Sequence, residues 1–376
     1  MGRTSYSVGE CFTFGFVKIL AQAWSCLHPL GMKNWLRLTL ACVAMLGLNA
    51  SAQSQKIGED ITQVAQSFVA SLTSEQKAQT VFDFSNPERT QWSHRSQSRL
   101  GLTLKAMNAE QRQLAFDLLR VTLSARGFHK IESVRELENL SPSTSASAYP
   151  NPRDPELYSL AIFGTPSTSG AWGWRWEGHH LSQNFTMIDG QLVSCTPSFV
   201  GINPFRPASG QEKPRDFPLL DNELSFGRAL AQSLTPAQRK LAVLAIEVPQ
   251  DIITQTKAKV ETLDTYQGIS VADLNAEQKK ILGRIIAEYV GLVRTDFALN
   301  EMIAISETAE EQIFFTWVGG TDDNQECYFR IRGPSFLLEL SNVQGNSNHV
   351  HLVWRDTQKD FGFEGLAGGK KKSSAD

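Results

Sequence analysis

One short pattern constrains this chain more than any other: a good N-cap residue with Gln three positions on, occurring four times. It is found at Thr73-Ser74-Glu75-Gln76, Asn108-Ala109-Glu110-Gln111, Thr235-Pro236-Ala237-Gln238 and Asn275-Ala276-Glu277-Gln278. In such a capping box the cap side chain accepts the backbone N–H of the third helical residue, and that residue's Gln reaches back to the cap's own N–H. Pro236 falls at a first helical position, where a missing N–H costs nothing. Apolar residues then follow at helical spacing: Leu114, Leu118 and Val121 in one segment, Ile281, Ile285 and Tyr289 in another. The four starts pair up. SLTSEQK at Ser71 returns as SLTPAQR at Ser233, 162 residues on, and MNAEQRQ at Met107 returns as LNAEQKK at Leu274, 167 residues on. The small difference in offset is the size of a loop insertion.

After its helices each half turns to aromatic and β-branched residues, the composition of strands. These are Tyr158 to Phe163 and Trp172 to Thr186 in the first half. In the second they are Ile313 to Val318, Tyr328 to Ile331, Phe336 to Leu340 and His349 to Trp354. Gly164, Gly178 and Gly190 align without a gap on Gly319, Gly333 and Gly345, each 155 residues on. These patterns predict an α+β fold that is internally duplicated. Each repeat would be a helical hairpin plus an antiparallel sheet, and the two would be related by a pseudo-two-fold axis. The expected bounds are 57–206 for the first repeat lobe, 207–218 for a proline-rich linker, 219–363 for the second lobe and 364–376 for a solvated tail.

An apolar fraction of 41% and a charged fraction of 20% belong to a globular chain. The net charge of −3 gives no electrostatic reason to bind nucleic acid or an anionic membrane. Lys33 and Arg37, the apolar run Leu38 to Leu48, and Ala50-Ser51-Ala52 have the layout of a cleaved signal peptide. The run is too short to span a bilayer comfortably. Residues 1–52 therefore read as an upstream extension to about Met32 followed by the signal, with a mature start near Gln53. The expected product is periplasmic or extracellular, with no membrane attachment after signal removal. It retains Cys195 and Cys327, which would either pair or stay as buried thiols. Asn184-Phe185-Thr186 is a glycosylation sequon, relevant only in a eukaryotic host.

Several segments carry a family likeness: FSNPERTQW (Phe84–Trp92), RDPELY (Arg153–Tyr158), FGTPS (Phe163–Ser167), WGWRWEGHHLSQNFT (Trp172–Thr186), RIRGPSFLLEL (Arg330–Leu340) and NHVHLVWRD (Asn348–Asp356). They resemble an uncharacterised family, the domain of unknown function 3500, over nearly all of the mature chain. Leu340 and Ser341 depart from the acidic residue and Tyr that the family pattern leads one to expect. The resemblance implies one shared architecture and, often, export. It implies no activity.

The chemistry must therefore come from the residues. His349 and His351, two apart on a strand, point to one face. Glu339 sits in an apolar strand, where a charge is costly unless paired or ligated. If Ser341 pairs with His349 across the Asn342–Asn348 loop, Glu339 lies opposite His351. Two imidazoles and a carboxylate suit Zn²⁺ or Fe(II), and Glu339, His349 and His351 are the predicted metal ligands. Strand histidines capped by carboxylates and packed on tryptophans are the structural alternative. By the 155-residue offset these three align with Asn184, Ser194 and Thr196, and His179 and His180 with Pro334 and Ser335. Neither histidine cluster therefore belongs to the repeated framework.

On a continuous strand His179 and His180 would face opposite ways, with His180 beside Trp174 and Trp176. His180, Arg355 and Asp356 are the catalytic candidates, Arg355 as a clamp for an anionic substrate. Arg89, Trp92, Trp174 and His179 are the substrate-binding candidates. The alternating Trp172, Trp174 and Trp176 read either as core or as a ligand platform. There is no P-loop, dinucleotide fingerprint or GxSxG. The leading expectation is an exported metal-dependent enzyme, a hydrolase or oxidase, acting on a small extracellular substrate. The alternatives are a non-catalytic exported ligand-binding protein that uses the Trp-rich sheet, and a purely structural domain.

Overall fold

All four capping boxes form. In the computed structural model, which describes residues 55–140, 153–207, 217, 219–260 and 267–363, Thr73, Asn108, Thr235 and Asn275 cap the helices that follow them. Each accepts the backbone N–H of its Gln and each Gln returns the bond. The signal-like segment, the loop at 141–152, most of the linker and the tail lie outside the described residues. After a helix over 55–70 (α1), these caps open α2 (Ser74–Thr80), α3 (Ala109–Thr122), α6 (Pro236–Ala242) and α7 (Ala276–Val290). Between them lie α4 (Ala125–Glu136) and α5 (Asp221–Ser233), and α8 (Thr295–Ser306) follows.

The glutamines also tie the helices together. Gln111 Nε2 donates to Gln76 Oε1 at 2.8 Å and to the Ser71 carbonyl at 2.9 Å. In the second half Gln238 Nε2 donates to Gln278 Oε1 at 2.9 Å, and Gln278 Nε2 to the Ser233 carbonyl at 3.0 Å. Each cap contributes about 1 kcal/mol to helix stability. The cross-links explain why Gln, rather than Glu, fills the third position: only an amide can donate onward.

The strands are β1 (Val81–Phe82), β2 (Leu102–Thr103), β3 (Ser159–Phe163), β4 (Ala171–Gly178), β5 (Leu181–Ile188), β6 (Gln191–Ser194), β7 (Ser198–Ile202), β8 (Ile269–Ser270), β9 (Phe314–Gly319), β10 (Cys327–Arg332), β11 (Phe336–Asn342) and β12 (Val350–Asp356). Among the described residues they form one sheet in the order β1-β3-β4-β5-β7-β12-β11-β10-β9-β8, with β2 on β3 and β6 on β5. Pairing is antiparallel except for β1 on β3. The two expected lobes share this sheet, joined by β7 and β12 from Val350↔Ile202 to Trp354↔Ser198.

Alternation along the strands sends Trp172, Trp174 and Trp176 to the helix-covered face, in one core with Leu118, Leu160 and Ile162. The other face is covered by long connections, where Trp92, Phe199, Ile252, Val353 and Phe361 cluster. The aromatic stretch Trp172 to Thr186 is two strands, not one. Gly178 pairs with Leu181, and His179-His180 is the turn between them. Cys195 and Cys327 are free and buried. Burial pushes the Cys195 thiol well up and that of Cys327 to about 11, so neither forms a thiolate readily. No helix among the described residues is long and apolar enough to cross a membrane.

Candidate functional site

Five of the chain's 7 histidines meet at one end of the β4–β5 turn. The turn is held from both sides. His180 N–H donates to the His94 carbonyl at 2.8 Å, and Gly201 N–H donates to the His180 carbonyl at 2.7 Å. These bonds keep His180 at φ 64°, a left-handed conformation unusual for a residue with a Cβ. Tyr158 Oη donates to the His179 carbonyl at 2.6 Å. A side chain at Gly178 would run into the Tyr158 ring, so glycine there is what lets the turn close over it.

His180 Nε2 lies 2.8 Å from His349 Nε2. The His349 and His351 rings are 4.5 Å apart between centroids, as the shared strand face predicts. The ligand atoms of His180, His349 and His351 all lie within 4.8 Å of one another. His351 Nδ1 is 2.6 Å from Asp251 Oδ1, and the buried His351 Nε2 has no hydrogen-bond partner. A carboxylate on Nδ1 fixes the tautomer that leaves Nε2 as a bare lone pair, the orientation device of metal-binding histidines. On the other side of Asp251, His94 Nε2 lies 3.6 Å from Oδ2, with its ring stacked on Phe199 at 4.1 Å. His179 stacks on His180 at 3.8 Å and its Nδ1 lies 3.0 Å from Glu138.

Burial disfavours the charged form of three of these rings, His94, His180 and His349. It pushes His94 down to about 4, in spite of the opposing bond to Asp251, and His349 down to about 3. His180 is driven well below the usual histidine range by burial, then by the neighbouring His179, His349 and His351. Burial alone would raise the Asp251 carboxyl, but hydrogen bonds from His351 and His94 outweigh it and hold it well below the usual carboxylate range. The result is an ionised Asp251 beside three imidazoles that stay neutral, the form in which histidine binds a metal. The cavity they line holds about 290 Å³.

The predicted ligand Glu339 is not among them. The β11–β12 register pairs Ser341 with His351 and Glu339 with Val353, two residues from the expected alignment. A two-residue shift keeps Glu339 on the same face but carries it along the strand, away from His351. Its carboxylate accepts from Ile253 N at 2.7 Å, Thr254 N at 3.3 Å, Tyr328 Oη at 2.8 Å and the Thr254 hydroxyl. It thereby fixes the loop that delivers Asp251. Glu177 on β4 does the same for His94, accepting from Ser93 N and Ser182 Oγ, both at 2.8 Å. Two buried glutamates thus aim the loops, and neither belongs to the histidine groups that could hold an ion.

The remaining sequence candidates lie elsewhere. Arg355, four residues beyond His351 and so roughly 13 Å along β12, is fully buried. Its Nε donates to Asp360 at 2.6 Å and its Nη2 to the Lys257 carbonyl at 2.9 Å. Asp356 Oδ1 accepts from Gln358 N and Lys359 N in a turn. Trp92 Nε1 donates to the Lys257 carbonyl, and Arg89 Nη1 to the Phe361 carbonyl at 2.7 Å. These groups fasten loops to the sheet. Trp174 stacks on Phe185 at 4.1 Å inside the core, because strand alternation turns it toward the helices. His179 and His180 do reach the cavity, but both from a turn, so the opposite-face argument does not hold and neither accompanies Trp174.

Sequence reading does not single out His94, Asp251 or Glu138. All three come from segments with no strand pattern, and only the scarcity of histidine would have flagged His94. No curated protein and no solved structure matches this chain. The model of one family, described as "Protein of unknown function (DUF3500)", matches residues 54–363. The match takes in the β4–β5 turn, both glutamate-held loops and β12, and the chain belongs to that family.

Proposed function

We propose that this protein is an exported metal-dependent enzyme whose ion is held by His180, His349 and His351, acting on a small polar substrate by hydrolysis or oxidation. One observation carries the reading. Three imidazoles, two buried and His349 half-buried, present their ligand atoms within 4.8 Å of one another, and one of them has its Nδ1 committed to Asp251. Three histidines and one open position suit a catalytic Zn²⁺; Fe(II) would use more open positions. A Zn–N bond of about 2.0–2.1 Å at tetrahedral angles separates ligand nitrogens by about 3.3 Å. The His180–His349 pair, at 2.8 Å, would therefore open by about half an ångström on loading. A bound ion would lower the pKa of its water toward roughly 7, supplying a nucleophile at neutral pH. Elemental analysis of gently purified protein, beside His351→Ala, is the test. Stoichiometric metal in the wild type and none in the variant is expected; a metal-free wild type would refute the reading.

The proposal includes the duplication. Leu160 pairs with Leu102 and Trp176, and Phe315, 155 residues on, pairs with Ile269 and Ile331. Val81 meets Ile162 in parallel, and Val243 meets Trp317 in parallel. The antiparallel β7–β12 pair in the middle of the sheet is where a pseudo-two-fold axis would pass. Export rests on the basic–apolar–Ala50-Ser51-Ala52 layout. Sequencing of the secreted protein should begin at Gln53, and a start before Leu38 would refute cleavage there.

A further inference from the structure

We propose, resting on the metal reading above, that the ligand of this cavity is a small oxyanion, held between the open face of the metal ion and the Arg95 guanidinium. Besides the five histidines and Asp251, the lining consists of Arg95, Ser96 and Gln344, with no apolar side chain among the described residues. An apolar ligand would strip water from these groups and return no hydrogen bonds. The volume of about 290 Å³ is at the small end of the roughly 300–1,000 Å³ of ligand pockets, which favours a small ligand.

Charge then decides its sign. His94, His180 and His349 are neutral at neutral pH, and Asp251 is ionised. A divalent ion with the Arg95 guanidinium outweighs the two carboxylates at hand, Asp251 in the lining and Glu138 behind His179, and leaves the cavity positive.

The backbone of Arg95 is tied to the same anchor as His94. Glu177 accepts Ser93 N, and Ser93 Oγ in turn accepts Arg95 N at 3.2 Å. His94, beside Asp251, and Arg95, which also lines the cavity, are therefore consecutive residues on one anchored loop. A carboxylate or phosphate offers two oxygens, one to displace the metal-bound water and one for the guanidinium fork.

The test uses the full mature chain loaded with Co²⁺, whose visible bands report its ligands. It is titrated with acetate, phosphate, neutral acetamide and cationic methylammonium. Saturable spectral change with acetate or phosphate only is expected. Arg95→Ala should weaken it about tenfold or more, and Arg95→Lys should recover part of the loss, with Co²⁺ content and melting midpoint unchanged. Tighter acetate than phosphate marks a carboxylate substrate, and the reverse marks a phosphoryl or other inorganic oxyanion. Acetamide binding as well as acetate, or no effect of Arg95→Ala, overturns the inference. A wild type that retains Co²⁺ but ignores anions sinks this inference alone; one that takes up no Co²⁺ sinks the metal reading and this inference together.

Discussion

Asp251, half-buried on a loop, and Glu339, buried on β11 beneath that loop, divide the work between them. Asp251 touches the imidazoles directly, whereas Glu339 touches only the backbone and hydroxyl groups that aim Asp251. The two should therefore fail differently. Asp251→Asn keeps the volume but weakens the hold on His351 Nδ1, and partners of this kind are worth about 10–100-fold in metal affinity. Competition with a chelator should show that loss with little change in melting. Glu339→Gln weakens acceptors for four donors and places an NH₂ among them. Unfolding in denaturant should show a loss of about 1–3 kcal/mol, accompanied by weaker metal retention because the loop is freed. Equal stability for Glu339→Gln and wild type would contradict the anchoring role.

The β4–β5 turn and strand β7 form the second scale. Gly201, opposite His351 in the sheet, has the space beside it filled by two rings. A Cβ there would lie 2.9 Å from His351 Cδ2 and 3.0 Å from His180 Cδ2. Both rings line the cavity rather than the helix-covered core, so a Cβ at this position would press on the site and not on the sheet. Gly201→Ala should therefore leave the sheet intact by circular dichroism while lowering metal occupancy, and full occupancy would show that the rings do not need this gap. The same turn explains why the histidine pair was misread as strand. Turn signals in sequence are Gly, Asn and Asp at left-handed positions. Here a histidine holds φ 64° because His94 and Gly201 bond its backbone on both sides, a distant contact that leaves no local mark.

For the whole molecule the buried imidazoles set a pH dependence. In the unfolded chain they titrate near 6.5, but in the fold His94 is held to about 4 and His349 to about 3, with His180 also low. Below about 6.5 the unfolded state thus binds more protons than the folded one, and stability must fall as pH falls. Above it neither state is charged and the dependence vanishes. The loss runs from about pH 6.5 down toward 4 and 3. Asp251, held low in the fold, adds to it below the unfolded aspartate value near 3.9. Melting midpoints of the metal-free protein should therefore drop steadily between pH 6.5 and 4, and His94→Phe should flatten part of the slope. Bound metal should steepen it, since protons then compete with the ion.

The sequence by itself determined what depends on neighbours along the chain. The four helix starts were legible because a cap and its Gln lie three residues apart. The strands and the shared face of Trp172, Trp174 and Trp176 were legible because alternation has a period of two, though not that this face turns inward, and His349 and His351 were placed on one face for the same reason. Tertiary structure decided what depends on register and on loops. A slip of two residues leaves every side chain on its own face, so no pattern of burial could distinguish Glu339 opposite His351 from Glu339 opposite Val353. His94 and Asp251 reach the site on irregular connections, whose paths are set by Glu177 and Glu339 more than 80 residues away in sequence. A bond across such a separation is specified by the packed sheet, and only the packed sheet brings the five histidines together.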